Sequence, residues 1–369
     1  MIFNLLLVAL AITVAIQIVY YLFIFGSFSF EKKTENNSTK IPVSIIVCAK
    51  NEAENIKEYF PSLINQNYPE FEIVLIDDAS SDNTLDVFEE YEKQHANVRV
   101  VKVANNETFW GNKKYALTLG IKVSKYEHLL FIDADCRPQS KEWITLMTSN
   151  FTDKKTIVLG YGAYTKINSS FLNKLIRFET LMTAVQYFSW AKIGSPYMGV
   201  GRNLAYKKEE FYKVNGFIDH MKIRSGDDDL FINQASTKTN TSICFDVNSF
   251  TYSAPKTTFK DWINQKRRHI STAKYYKTFD KIQLGLFYTS QLFFIILSVI
   301  LLVLKFQLMI VGTLITLRYL TAWISLGYSA SKLKEKDLIY WFPIIEIILI
   351  FTQINLYLVN LFSKPKHWK

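Results

Sequence analysis

The sequence predicts an α/β domain with a mostly parallel sheet, tethered to a membrane by one helix before it and about three after it. Two observations predict this: apolar runs of spanning length sit only at the two ends of the chain, and short β-rich runs alternate with amphipathic stretches between them. The composition permits it. Of 369 residues, 49% are hydrophobic and 21% charged, with 13 Gly and 8 Pro, which excludes collagen-like, disordered and low-complexity chains. Cys48, Cys136 and Cys244 are too few and too scattered for a disulfide framework or a C-x-x-C zinc site, so a reducing compartment is the simpler expectation. A formal charge of +10 suits nucleic acid, an anionic membrane face or a phosphorylated substrate alike. The distribution of apolar residues has to choose among them.

Residues 1–30 carry no charge, and Ile2 to Phe25 is long enough to cross a hydrocarbon core of ~30 Å. No basic segment precedes it and no small-residue cleavage site ends it, so it reads as an anchor rather than a cleaved signal. Lys32 and Lys33 follow, which places residues 40–256 in the cytoplasm at a cell (inner or plasma) membrane. In that domain Val43–Val47, Ile73–Ile76, Val98–Val103, Leu129–Ile132 and Thr156–Leu159 are strand-like. Helix-like stretches follow the first four, including Ala53–Gln66 and Asp82–His95. Residues 257–282 form an interface segment in which Thr258–Tyr276 reads as a basic amphipathic helix. Phe171–Trp190, of similar composition, is either a second lip beside the membrane or a helix of the domain core.

Residues 283–362 hold three apolar runs, Leu284–Leu304, Leu308–Tyr328 and Ile339–Phe362, each of spanning length. The loop with Lys332, Lys334 and Lys336 should be cytoplasmic. The tail does not fit: counting crossings puts Lys364, Lys366 and Lys369 outside, so the last run is tilted, re-entrant or assigned one crossing wrongly. Arg318 and Glu346 lie near the middles of adjacent apolar runs, where an unpaired charge is expensive, so they are expected to pair or to face a polar cavity.

Ligands of parallel sheets bind beyond the carboxyl ends of the strands, and that is where the informative residues fall. Cys48-Ala49-Lys50-Asn51-Glu52 follows the first strand, Asp77-Asp78-Ala79-Ser80-Ser81-Asp82 the second and Asp133-Ala134-Asp135 the fourth. Asp82 reads as a helix cap, whereas the adjacent Asp77 and Asp78 point to ligand contact. Residues two apart on an extended strand point the same way, so Asp133 and Asp135 can present both carboxylates to one hard cation. A solvated turn is the plain alternative. Gly199 and Gly201 begin a dinucleotide fingerprint that lacks its third glycine and its strand-turn-helix setting, which rejects nicotinamide binding.

Taken together, Val43–Val47 with Asn51-Glu52, Asp77-Asp78-x-Ser80-x-Asp82-x-Thr84 and Phe131-Ile132-Asp133-Ala134-Asp135 resemble an inverting family-2 glycosyltransferase of GT-A fold. Gly111-Asn112-Lys113, Gly226-Asp227-Asp228-Asp229-Leu230 and Gln265-Lys266-Arg267-Arg268-His269 extend the likeness, in the family's order, from about Ile41 to His269. Two departures stand out. Cys48-Ala49-Lys50-Asn51-Glu52 occupies the place of P-x-Y-N-E, and His269 stands where Trp is common. One helix before the domain and about three after it is an arrangement similar to ceramide glucosyltransferases and small polysaccharide synthases.

The resemblance implies a nucleotide-sugar donor, a UDP-sugar by preference, held by Ala49, Asn51, Glu52, Asp77, Asp78, Lys113, Asp133, Gln265, Arg267 and Arg268. It implies Mg²⁺ or Mn²⁺ on Asp133 and Asp135, and a general base that is either Asp227 or Asp228. Lys113 could instead be a surface lysine, the three acids the charged start of a helix, and Lys266-Arg267-Arg268 a patch for anionic lipid headgroups. The acceptor expected beside a membrane is a lipid or a lipid-linked or growing saccharide, and so few spans favour a single transfer or short elongation over polymer export. A sugar transferase acting on a polyprenyl phosphate and a catalytically silent membrane scaffold are the competing readings. No nucleic-acid partner is expected, because many of the basic residues sit beside the membrane.

Overall fold

A computed structural model describes residues 1–32, 40–104, 113–223 and 225–362. Gly111 and Asn112 and the tail lysines lie outside the described residues. The chain opens with α1 (Ile2–Ile18), a π-helical turn (Val19–Ile24) and α2 (Gly26–Ser29), which together make one apolar helix of 28 residues. The α/β domain follows with β1 (Val43–Ala49), α3 (Ala53–Ile64), β2 (Phe71–Asp78), α4 (Thr84–Gln94), β3 (Val98–Val103), α5 (Lys113–Val123) and β4 (His128–Phe131). After these come β5 (Cys136–Pro138), α6 (Trp143–Thr148), β6 (Ile157–Leu159), β7 (Gly162–Tyr164), α7 (Phe171–Lys192), β8 (Leu204–Lys207) and α8 (Lys208–Lys213). The domain closes with α9 (Asp229–Ala235), β9 (Thr241–Ile243) and β10 (Thr251–Ser253).

The main sheet has the order β3-β2-β1-β4-β8-β6-β9, parallel except that β8 runs against both β4 and β6. Ala49 pairs with Asp77 in register, so β1 and β2 end level and deliver their terminal residues to one edge. Asp77 and Asp78 are the last two residues of β2, not the loop after it: the strand is longer than its apolar run suggests. One sheet face packs Ile45, Val47 and Leu75 against Ile56 and Phe60 of α3, and the other packs Ile46, Val74 and Ile76 against Ala116, Leu117 and Ile121 of α5. Gly120 permits that approach, since a Cβ there would stand 2.1 Å from Ile76 Cδ1. A second sheet, β5-β10-β7, flanks the same edge.

α7 is a core helix: Leu175, Phe178, Leu181, Val185 and Phe188 are all buried in the main apolar cluster. Its Ser170 caps it by accepting from Asn173 N at 3.1 Å. The basic stretch expected over Thr258–Tyr276 is helical over α10 (Phe259–Ile270), and a 3₁₀ turn, Ala273–Tyr275, completes it. Three long helices follow, α11 (Thr278–Val303), α12 (Leu308–Lys332) and α13 (Phe342–Phe362). Among the described residues, four segments are long and apolar enough to cross a membrane, Ile2–Ser29, Thr278–Val303, Leu308–Lys332 and Lys336–Asn360. Arg318 and Glu346 do pair, with Arg318 Nη1 donating to Glu346 Oε2 at 2.8 Å.

Candidate active site

The loops after β1 and β2 hold each other. Asn51 adopts a left-handed φ of 56°, accepts from Ser81 N at 2.7 Å through Oδ1 and donates its own N–H to Ser80 Oγ at 3.0 Å. Glu52, at the start of α3, donates its N–H to Thr84 Oγ1 at 2.9 Å. Asp82 accepts from Thr84 N at 3.0 Å, at the start of α4 as expected, and also from Ala53 N of α3 at 3.3 Å, which was not expected. Ala49 is buried at the strand end beneath this lattice. Asp77 is turned back onto Ser80 N, whereas Asp78 Oδ2 is buried with no hydrogen-bond partner among the described residues. Burial pushes the Asp78 carboxyl above its usual range, a cost that a ligand hydroxyl or N–H would relieve.

The centre of the site is an ion-pair chain. Lys113, first residue of α5, donates from Nζ to Asp133 Oδ1 at 2.7 Å and lies 3.1 Å from Asp227 Oδ2. Burial works against its charge, but the two carboxylates hold it well above the usual lysine range. It is no surface lysine. Asp133 and Asp135 place carboxylate oxygens, with Cys136 Sγ, within 4.8 Å of one another. The Cys136 thiol donates to Asp135 Oδ1 at 3.5 Å, so sulfur serves as a hydrogen-bond donor while two oxygens remain for a hard cation. Burial, then the charge of Asp133, raises the Asp135 carboxyl, and a divalent cation fits that repulsion.

The three acids after Gly226 separate by role. Asp229 accepts from Tyr276 OH at 2.7 Å and from Thr272 Oγ1, which fastens α9 to the turn behind α10. Asp228 caps α9 and accepts from Gly201 N and Asp229 N, each at 2.7 Å; burial and its two acidic neighbours push it up to about 7. Asp227 stays below the usual carboxylate range, because Lys113 more than offsets the burial that raises it. Gln265 donates to Tyr164 OH at 3.3 Å, and the Arg268 guanidinium lies within electrostatic reach of Asp227, Asp133 and Asp228. Arg267 Nε is instead bonded to Asn360 Oδ1 on α13 at 3.0 Å. A cleft of about 350 Å³ opens among Cys48, Lys113, Asp133, Gly201, Asp227 and Asp228.

Two cations escaped the sequence. Arg202 is stacked 4.3 Å over the Tyr164 ring and donates to Ser253 Oγ at 3.1 Å, with its charge felt at Asp133 and Asp135. The glycine beside it was the signal: a Cβ on Gly162 would stand 2.4 Å from Arg202 Nε. Lys114 Nζ is buried and donates to the carbonyls of His220, Ile223 and Ser225 at 2.7, 2.8 and 2.7 Å, holding the strand of chain that leads into Gly226 and Asp227. Lys114→Met should leave three acceptors poorly satisfied, at ~1–3 kcal/mol each. Thermal melting in detergent should show a large loss of stability, and an unchanged melting temperature would refute this role.

The sequence model of glycosyl transferase family 2 matches residues 44–230. A poly-beta-1,6-N-acetyl-D-glucosamine synthase of Staphylococcus epidermidis is 36% identical over 93 residues, 25% of this chain and 21% of the relative. A probable glycosyltransferase of Bacillus subtilis, YdaM, is 26% identical over 270 residues, 69% of this chain and 62% of that protein. The chain thus spans less than two thirds of the length of either relative. A solved structure of similar fold is the mannosyltransferase PcManGT from Pyrobaculum calidifontis in complex with GDP-Man and Mn²⁺. It has a TM-score of 0.59 and 17% identity, over 90% of this chain and 98% of that one.

Proposed function

The chain belongs to glycosyl transferase family 2, and from that premise we propose that it transfers a sugar, with inversion, from a nucleotide-sugar to a membrane-held acceptor. The observation that carries this is the meeting of Lys113, Asp133 and Asp227, within reach of Arg268, at the carboxyl edge of the sheet. A UDP-sugar is the favoured donor, with Asp78 and the Asn51–Glu52 loop against the nucleoside and Lys113, Gln265 and Arg268 about the diphosphate. Asp133 and Asp135 would hold Mg²⁺ or Mn²⁺, which when bound supplies positive charge to the leaving diphosphate.

Asp227 is the base we favour, because both oxygens of Asp228 are already given to main-chain N–H groups. Asp227 takes the proton of the acceptor hydroxyl, the hydroxyl oxygen bonds to the anomeric carbon, and the electron pair of the breaking bond leaves with the nucleoside diphosphate. Asp227→Asn should lower turnover ~10²–10⁴-fold while nucleotide binding survives, whereas Asp228→Asn should retain far more activity. The pH profile separates them too. Asp227, held below the usual range, is ionised at neutral pH, so the rate should fall only in acid; a base titrating like Asp228 would lose rate as pH drops through about 7.

A lipid acceptor is supported by the apolar walls that Phe178, Met182, Phe287 and Leu349 supply to a narrow crevice between α7, α11 and α13, with Gln186, Gln353 and Glu346 as its polar groups. The flanking lysines support a cytoplasmic catalytic domain. Radiolabelled UDP-sugars offered to membranes with extracted lipids should label the lipid fraction. Label found only in long polymer would overturn single transfer, and no nucleoside diphosphate release from any donor would overturn the enzyme reading.

A further inference from the structure

A helix of 21 residues is ~31 Å long, so a span along the membrane normal would carry the two ends of α13 to opposite faces. The near end is instead bonded to α7 and the loop before it in the α/β domain, and the far end to α10, the interface helix that follows the domain. Just before α13, Asp337 accepts from Lys166 Nζ and Arg177 Nη2, each at 2.7 Å, and the Phe342 ring lies 5.9 Å from that of Phe178 on α7. At the far end, Asn360 Oδ1 accepts from Arg267 Nε at 3.0 Å and Asn360 Nδ2 donates to the Arg267 carbonyl at 2.9 Å. Midway, Gln353 donates to Tyr288 OH at 3.3 Å.

The backbone of α13 lies against α10 and α7, whereas α1, α11 and α12 pack on one another. Ile344, Ile347, Phe351 and Leu358 are exposed at helical spacing and form one largely apolar face, interrupted by the exposed Asn355. Glu346 points the other way, into the bundle, toward Arg318 and Gln291.

We propose that α13 does not cross the bilayer but lies along its interface beneath the catalytic domain, and that Asn360 is a positioning residue which holds α10, and with it Arg268, in place. The chain then crosses three times, through α1, α11 and α12. Phe362 then ends α13 on the side of the catalytic domain, the side on which the positive-inside rule favours a sequence that continues with Lys364, Lys366 and Lys369. The two hydrogen bonds of one amide, accepted from the side chain of Arg267 and donated to its main chain, fix the roll of α10 about its axis, and that roll sets where the next residue points.

The topology rests on the membrane reading alone and is tested without turnover. In inverted membrane vesicles, protease should remove a C-terminal epitope tag together with the catalytic domain; a tag cut only in right-side-out vesicles overturns the proposal. For Asn360, Asn360→Ala should lower kcat about tenfold at an unchanged melting temperature, the scale of one hydrogen bond to a charged group. Asn360→Asp, which keeps the acceptor for Arg267 Nε, should retain most of the activity. An unaltered kcat in Asn360→Ala, or an equal loss in both variants, overturns the positioning role.

Discussion

Asp135→Ala should abolish sugar transfer, lowering turnover at least ~1000-fold, and should remove Mn²⁺-dependent binding of UDP while membrane insertion stays normal. The size follows from what each acid is already doing. Asp133 Oδ1 accepts from Lys113 at 2.7 Å, and Asp227 is held by the same amine, so of these three carboxylates Asp135 is the one that no cation among the described residues grips at hydrogen-bond distance. Its neighbour Cys136 donates to it and is a poor ligand for Mg²⁺ or Mn²⁺. Without Asp135 the charge that grows on a departing diphosphate would be left to side chains such as Lys113, Arg202 and Arg268. Calorimetric titration of UDP with and without Mn²⁺ on detergent-solubilised protein separates binding from turnover. Turnover retained by Asp135→Ala would overturn the metal assignment and leave the ion-pair chain as the whole diphosphate site.

Much of this site was legible because strand geometry is local. The apolar run did place the two acids at the strand end, but β4 stops at Phe131 and a turn, in which Cys136 N donates to Asp133 O at 3.0 Å, rather than the two-residue period of a strand, brings Asp133 and Asp135 together. The in-register ends of β1 and β2 follow from short buried strands in parallel. The capping of Asp82 was legible for the same reason, although its second helix, α3, lies 29 residues away in sequence and was not. What stayed hidden is long-range pairing. Lys113 and Lys114 are adjacent and chemically identical, yet one grips two carboxylates and the other three carbonyls. Helical rotation separates them by ~100°, and no local pattern says what each side of α5 meets. The reversed strand β8 was missed because Leu204–Lys207 is too short to declare a direction. The last apolar run has the composition of a span. Its orientation depends on Asp337 and Asn360, polar residues at its ends whose partners lie more than 90 residues away.

The second large effect concerns stability. Arg318 and Glu346 are fully or almost fully buried at 0% and 2% exposure, and Arg318 Nη2 also donates to Gln17 Oε1 at 3.0 Å while Gln291 donates to Glu346 at 2.6 Å. Removing one partner leaves the other charge buried without compensation, which costs about 3–5 kcal/mol, and apolar surroundings give it nowhere to go. Arg318→Ala should therefore sharply reduce the yield of folded protein and its melting temperature in detergent. The pair itself need not be favourable. Arg318→Met with Glu346→Gln, which removes both charges and keeps the volume, should recover much of the loss. Glu346 sits on α13 and Arg318 on α12, so the pair is also what draws an interfacial helix against the crossing bundle. The single variant should then disturb α10 through Asn360, and the charge-free double variant should restore kcat along with stability. Full expression and full activity of Arg318→Ala would deny the pair any structural role.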